Sequence, residues 1–142
     1  MVFIIVGAKF MQIKTNLFPG IVSREKREYA LKYLPHLLAE AGMVEKFYSL
    51  LTDIDFIQTK INEVGITALI ADYQLCWIHD LYCESECCLE KANTLRAIQD
   101  ALCAVVNLQK EAVFAQLVLQ LASNPEPDIQ KIVRQIQNKL SP

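Results

Sequence analysis

The sequence predicts an all-α domain, an irregular antiparallel helical bundle or short α-solenoid of about seven helices. Apolar residues recur at spacings of three and four along most of the chain. Only four glycines and five prolines punctuate 142 residues, too few for the many turns of an all-β fold. A hydrophobic fraction of 53% against 21% charged argues for a packed core over disorder, and the length suits one domain with one core. The helical pattern covers residues 23–142, read as a single domain. Residues 1–22 do not share it: MVFIIVGAKF suits an edge strand or a tail, Phe18-Pro19-Gly20 marks a turn, and Met11 is an alternative start.

Each helix has its own signals. Ser23 is the expected N-cap of the first, with Glu25 placed favourably against the helix dipole. Ala30, Leu34, Leu37, Leu38 and Ala41 form its apolar stripe, and Gly42 is the C′ residue that stops it. Pro35 inside this segment predicts a kink or a break. A short second helix presents Val44, Phe47, Tyr48 and Leu51. Asp53 is the N-cap of a third, which carries Ile57, Ile61 and Val64 and stops at Gly65. Ile66, Leu69, Ile70, Tyr73 and Trp77 mark the fourth, whose pattern frays after Asp80. The fifth carries Leu95, Ile98, Leu102 and Val105, and the sixth Phe114, Leu117, Val118 and Leu121. Pro125 and Pro127 introduce the last, with Ile129, Ile132, Val133, Ile136 and Leu140 on its apolar face. Short connections imply antiparallel neighbours, and no strict repeat period is visible.

Composition narrows the function classes. A net charge of −2 offers no basic surplus for a phosphate backbone, so nucleic acid is not an expected partner. No apolar run reaches the roughly 18 residues of a membrane span, and the opening run lacks the charged start of a signal peptide. Five cysteines, an odd count without secretion signals, read as reduced thiols of a cytoplasmic protein. The mean hydropathy of +0.22 is high for a solitary domain and suggests apolar surface meant for a protein partner.

At Tyr29 the chain becomes familiar. The run from Tyr29 to Gly42, YALKYLPHLLAEAG, resembles the opening of the helical domain of apoptotic protease-activating-factor-like proteins. The resemblance continues through Leu50-Leu51-Thr52-Asp53, Asp55-Phe56, Lys60 and Leu69-Ile70-Ala71-Asp72-Tyr73. It resumes more weakly at Leu95 to Gln99 and at Ala115-Gln116-Leu117, covering roughly residues 27–122. In that family the helical domain follows an NB-ARC or NACHT nucleotide-binding module and often precedes WD40 repeats. The resemblance therefore implies a non-enzymatic arm in a STAND-type signalling NTPase, in contact with the modules on either side. The phosphate-binding loop Gly-x-x-x-x-Gly-Lys-Ser/Thr is absent here, so the resemblance places the ATP chemistry outside this stretch. The cysteine-rich stretch from Cys76 to Cys88 departs from the family pattern.

That stretch is the sharpest chemical candidate. Cys76, His79, Cys83, Cys87 and Cys88 are zinc-ligand types, but Cys76 and Cys87 lie about 16 Å apart along a continuous helix, against zinc–sulfur bonds of about 2.3 Å. One closed site would need the chain to turn back between Asp80 and Ser85. Buried structural thiols are the plainer reading. His36 and His79 are the only candidate bases for a nucleophile, and no oxyanion loop accompanies them. Asp53 and Asp55, and Glu84, Glu86 and Glu90, read as caps and dipole partners. Lys131, Arg134 and Lys139 read as a solvated face, and Tyr73 and Trp77 as core. No catalytic, cofactor-binding or metal-binding residue is assigned, and no cofactor is expected. The expected function is a helical protein–protein interaction or linker arm. The alternatives are a stand-alone adaptor that binds a peptide or helix, and a small metal-binding protein using the Cys76–Cys88 cluster.

Overall fold

The computed structural model describes the backbone of residues 24–82 and 86–140, and their side chains except at 24–27, 86 and 87. The expected strand or tail over 1–22, the Ser23 cap, the residues Cys83 and Glu84, and the side chains of Glu25, Glu86 and Cys87 all lie outside this description. The described residues form helices α1 (Arg24–Glu40), α2 (Val44–Leu51), α3 (Ile54–Glu63), α4 (Ile66–Ile78), α5 (Glu86–Val105), α6 (Lys110–Leu121) and α7 (Pro127–Leu140), with no strand among them. The all-α class stands.

Helix ends follow local chemistry. At the end of α1, Gly42 takes the left-handed conformation (φ +68°) that side chains resist. Its N–H reaches Ala39 O at 3.1 Å while Met43 N–H reaches Leu38 O at 3.0 Å, the paired bonds of a Schellman motif. The Asp53 carboxylate accepts from Asp55 N–H at 3.0 Å and caps α3 as expected. Gly65 at φ +133° separates α3 from α4, its N–H bonded to Lys60 O at 2.8 Å. At the start of α7, Asn124 accepts from Glu126 N–H at 3.0 Å and Pro127 occupies the first helical position, where its missing N–H costs nothing.

Several expectations need correction. Of the kink or break expected at Pro35, the break does not occur: helix α1 is continuous through this residue, which is itself buried. Its core face is Leu31, Leu34 and Leu38; Ala41 is exposed because the helix has already ended at Glu40. On α6 the buried positions are Val113, Leu117 and Leu121, with Phe114 and Val118 only partly covered. Leu140, in the last turn of α7, is 50% exposed. On α4 the buried arc is wider than the stripe suggests: Leu69, Asp72, Tyr73, Leu75 and Cys76 all face inward.

Successive helices pack as neighbours, and longer-range contacts tie the set together. Helix α1 also lies against α3 and α4, and α2 against α5. Helix α7 returns to pack on α3 and α5, which closes the stack into a bundle. Ile129, Ile132, Val133 and Ile136 supply the face that makes this closure, and Lys139 reaches Asp55 at 3.0 Å across its rim.

Leu69 is wholly buried, whereas Ile70 is partly covered. Leu69→Asp is therefore expected to abolish cooperative unfolding, since an unpaired buried carboxylate removes most of the roughly 5–15 kcal/mol available to a domain. Ile70→Asp should fold with a lowered midpoint. Urea titration followed by far-UV circular dichroism checks the ranking, and a cooperative Leu69→Asp transition near that of wild type would refute it.

Candidate functional site

Among the described residues, the side chains that could carry chemistry do not converge. His36 and His79 are both exposed, and neither has a nucleophile hydrogen-bonded to it among the described contacts. Cys76 is fully buried, its thiol donating to Tyr73 O at 3.0 Å, and burial pushes it up to about 12, so it stays protonated. Cys88 is half-buried and Cys103 exposed. Among the described residues no three His, Cys, Asp or Glu side chains gather closely enough to hold a metal ion. Glu90 is exposed on α5, as are Lys131 and Arg134 on α7. Tyr73 is core, but Trp77 is only partly so: its indole N–H donates to Gln99 Oε1 at 2.8 Å while the Arg96 guanidinium lies 4.4 Å over the ring.

A cleft of about 400 Å³ lies between α2 and α7, with Ser49 and Thr52 on one wall and Lys131 and Gln135 on the other. The Tyr48 hydroxyl donates to Asp128 Oδ2 across it. Partial burial and then this carboxylate raise Tyr48 well above the ordinary phenol range, so it stays a donor. The cleft holds hydroxyls, an amide, the Lys131 ammonium and the carboxylates of Glu45, Asp53 and Asp128; the Asp128–Tyr48 bond joins two helices, and it raises the phenol instead of activating it.

The most constrained polar group lies elsewhere, in the core. Lys60 on α3 and Asp72 on α4 are each 1% exposed, with Nζ 2.9 Å from Oδ2. Lys60 Nζ also donates to the backbone carbonyl of Leu31 on α1. That bond is the aligned one, so Asp72 Oδ2 is held by charge more than by a directed N–H. The Phe56 ring lies 5.8 Å beneath the ammonium. Burial raises Asp72 to about 6 despite the opposing pull of Lys60. Next along α4, the Tyr73 hydroxyl donates to Leu51 O at 2.6 Å and satisfies a carbonyl at the end of α2. Lys60 and Asp72 thus join α1, α3 and α4 at one polar junction, and the neighbouring Tyr73 ties α4 to α2 by a separate bond. Sequence reasoning missed it, because Lys and Asp default to solvent and nothing in their spacing shows that they face each other across two helices.

What this junction does chemically is hold helices in place. Removing one partner leaves a buried charge uncompensated, so Lys60→Met should cost about 3–5 kcal/mol at neutral pH. The Asp72 shift gives the pH dependence its sign. Its folded pKa is raised, so the native domain binds the proton more readily than the unfolded chain. The stability linked to this group is complete below the ordinary value of 3.8 and is lost as pH rises through about 6. Wild-type stability relative to Asp72→Asn should therefore fall between pH 4 and 7, measured by urea unfolding; a constant difference would exclude this titration.

The thiols give a second check. Cys103 should react with a thiol reagent in the folded protein, whereas Cys76 should be labelled only on unfolding. Mass-spectrometric mapping of labelled peptides decides it, and prompt modification of Cys76 under native conditions would contradict its burial.

Comparison with known proteins bears on these arrangements as a whole. The family described as the APAF-1 helical domain matches residues 9–138. No match is found among curated proteins or among solved structures. The family match runs beyond the resemblance at 27–122 on both sides, reaching back to residue 9 and forward through nearly all of α7. The chain, with the Lys60–Asp72 pair in its core, belongs to the APAF-1 helical domain family.

Proposed function

We propose that this chain is a non-enzymatic helical arm that holds a nucleotide-switch module and a sensor module of a signalling NTPase at a fixed geometry. The observation that carries the reading is the family match over residues 9–138, since it identifies a domain type of multidomain switch proteins. The interior is consistent with a mechanical role. Buried polar bonds tie α1, α3 and α4 together and α4 to α2, and α7 packs back on α3 and α5, contacts that favour motion as one body. The arm acts by transmitting displacement: a shift imposed at one face reaches the other because packed cores do not deform continuously. Partners are proteins, and the site of action is the cytoplasm. No described helix is long and apolar enough to cross a membrane.

An antibody raised against the purified domain tests the reading in extracts of the source cells. A band well above 16.1 kDa is expected, because the arm should be part of a longer polypeptide. A sole band at 16.1 kDa would overturn the arm in favour of a stand-alone adaptor. Calorimetric titration of the purified domain with ATP should give no heat of binding; a micromolar dissociation constant abolished by a substitution within this chain would contradict the non-enzymatic reading.

A further inference from the structure

A proline inside a helix lacks the N–H that would bond to the carbonyl four residues earlier. For Pro35 that carbonyl belongs to Leu31, a residue with no solvent exposure, so water cannot replace the missing donor. The group that reaches Leu31 O is the Lys60 ammonium from α3. A lysine there would be intolerable alone, and Asp72 from α4 balances its charge at 2.9 Å. We propose that Lys60 and Asp72 form a splint for α1: they supply from outside the hydrogen bond that Pro35 removes, and they keep the helix continuous across a built-in joint.

The inference goes beyond the arm reading and does not depend on what the domain connects. It explains three observations together. Helix α1 is continuous where proline should break it. A lysine is buried in an apolar core. Asp72 is buried with its Oδ2 2.9 Å from the Lys60 ammonium. With the splint in place α1 is one continuous helix anchored to α3 and α4. Without it, α1 becomes two segments hinged at Pro35. Lys60 and Asp72 are positioning residues, acting through the backbone of α1.

The test uses the whole chain and asks whether the pair becomes dispensable when the proline is removed. Lys60→Met with Asp72→Leu deletes both charges at similar volume and leaves Leu31 O unsatisfied. Pro35→Ala restores an N–H at position 35. Hydrogen exchange is read at the amides of residues 36–39, with α6 amides as the reference for global opening. The pair replacement should accelerate exchange at 36–39 by at least about tenfold relative to α6. Adding Pro35→Ala should bring it back to within about threefold of wild type, whereas Pro35→Ala alone should add little protection. Unchanged exchange in the pair-replaced chain, uniform acceleration across both helices, or no recovery in the triple variant would each overturn the splint. Should the pair-replaced chain fail to fold, cooperative unfolding of the triple variant becomes the readout: its return supports the proposal, and its absence overturns it.

Discussion

One backbone carbonyl, that of Leu31, sets the terms for the first half of this domain. It lies in the core, and the helix that contains it cannot satisfy it because Pro35 occupies the donor position. Lys60 reaches it from α3, Asp72 on α4 accompanies Lys60, and the geometry of α4 that presents Asp72 also presents Tyr73 to the end of α2. A local defect in one helix is thereby turned into a requirement on three others. Apolar packing among Leu34, Leu38, Phe47, Ile57 and Leu69 supplies the bulk of the attraction. It is non-directional, however, and would tolerate several rotations of α1. The polar junction tolerates few, because an ammonium must meet a carbonyl and a carboxylate at hydrogen-bonding range.

Fold class, helix number and most helix ends were legible in the sequence because they depend on neighbours three and four residues apart. Gly42, Asp53 and Gly65 act within one turn, and each does what its local chemistry requires. The errors have the opposite character. Ala41 looks like part of a stripe until the helix stops short of it, and Leu140 belongs to an apolar face that outruns the surface it packs on. Pro35 looks like a break because its rescue comes from a residue 25 positions away. The Lys60–Asp72 pair was invisible for the same reason: burial of a charge is decided by tertiary partners. Both residues were nonetheless among those that carried the family resemblance, together with Pro35 and Tyr73.

The cysteines show how residue type can mislead when geometry is unknown. In the string of symbols Cys76 and His79 suggest ligands, yet α4 turns Cys76 inward beside Tyr73 and leaves His79 at the helix end, facing water. A thiol held protonated in the core is a small apolar side chain with a weak donor. Trp77 is the intermediate case. Its ring is sandwiched between the core and Arg96, and its N–H is taken by Gln99, so one residue staples α4 to α5 through apolar, cationic and hydrogen-bonding contacts at once.

The return of α7 onto α3 also has a consequence for how the chain reaches this state during synthesis. More than 60 residues separate the two helices, and α5 rests on the same returning face. As the polypeptide emerges from the ribosome, α1 to α4 can assemble around Lys60 while the apolar side of α3 that α7 will cover stays open to solvent. That exposure lasts until the seventh helix is released, at elongation speeds of roughly 5–20 residues per second a matter of several seconds. During that interval the nascent chain presents a sticky, half-finished surface of the kind that chaperones hold, and completion of the domain coincides with its disappearance.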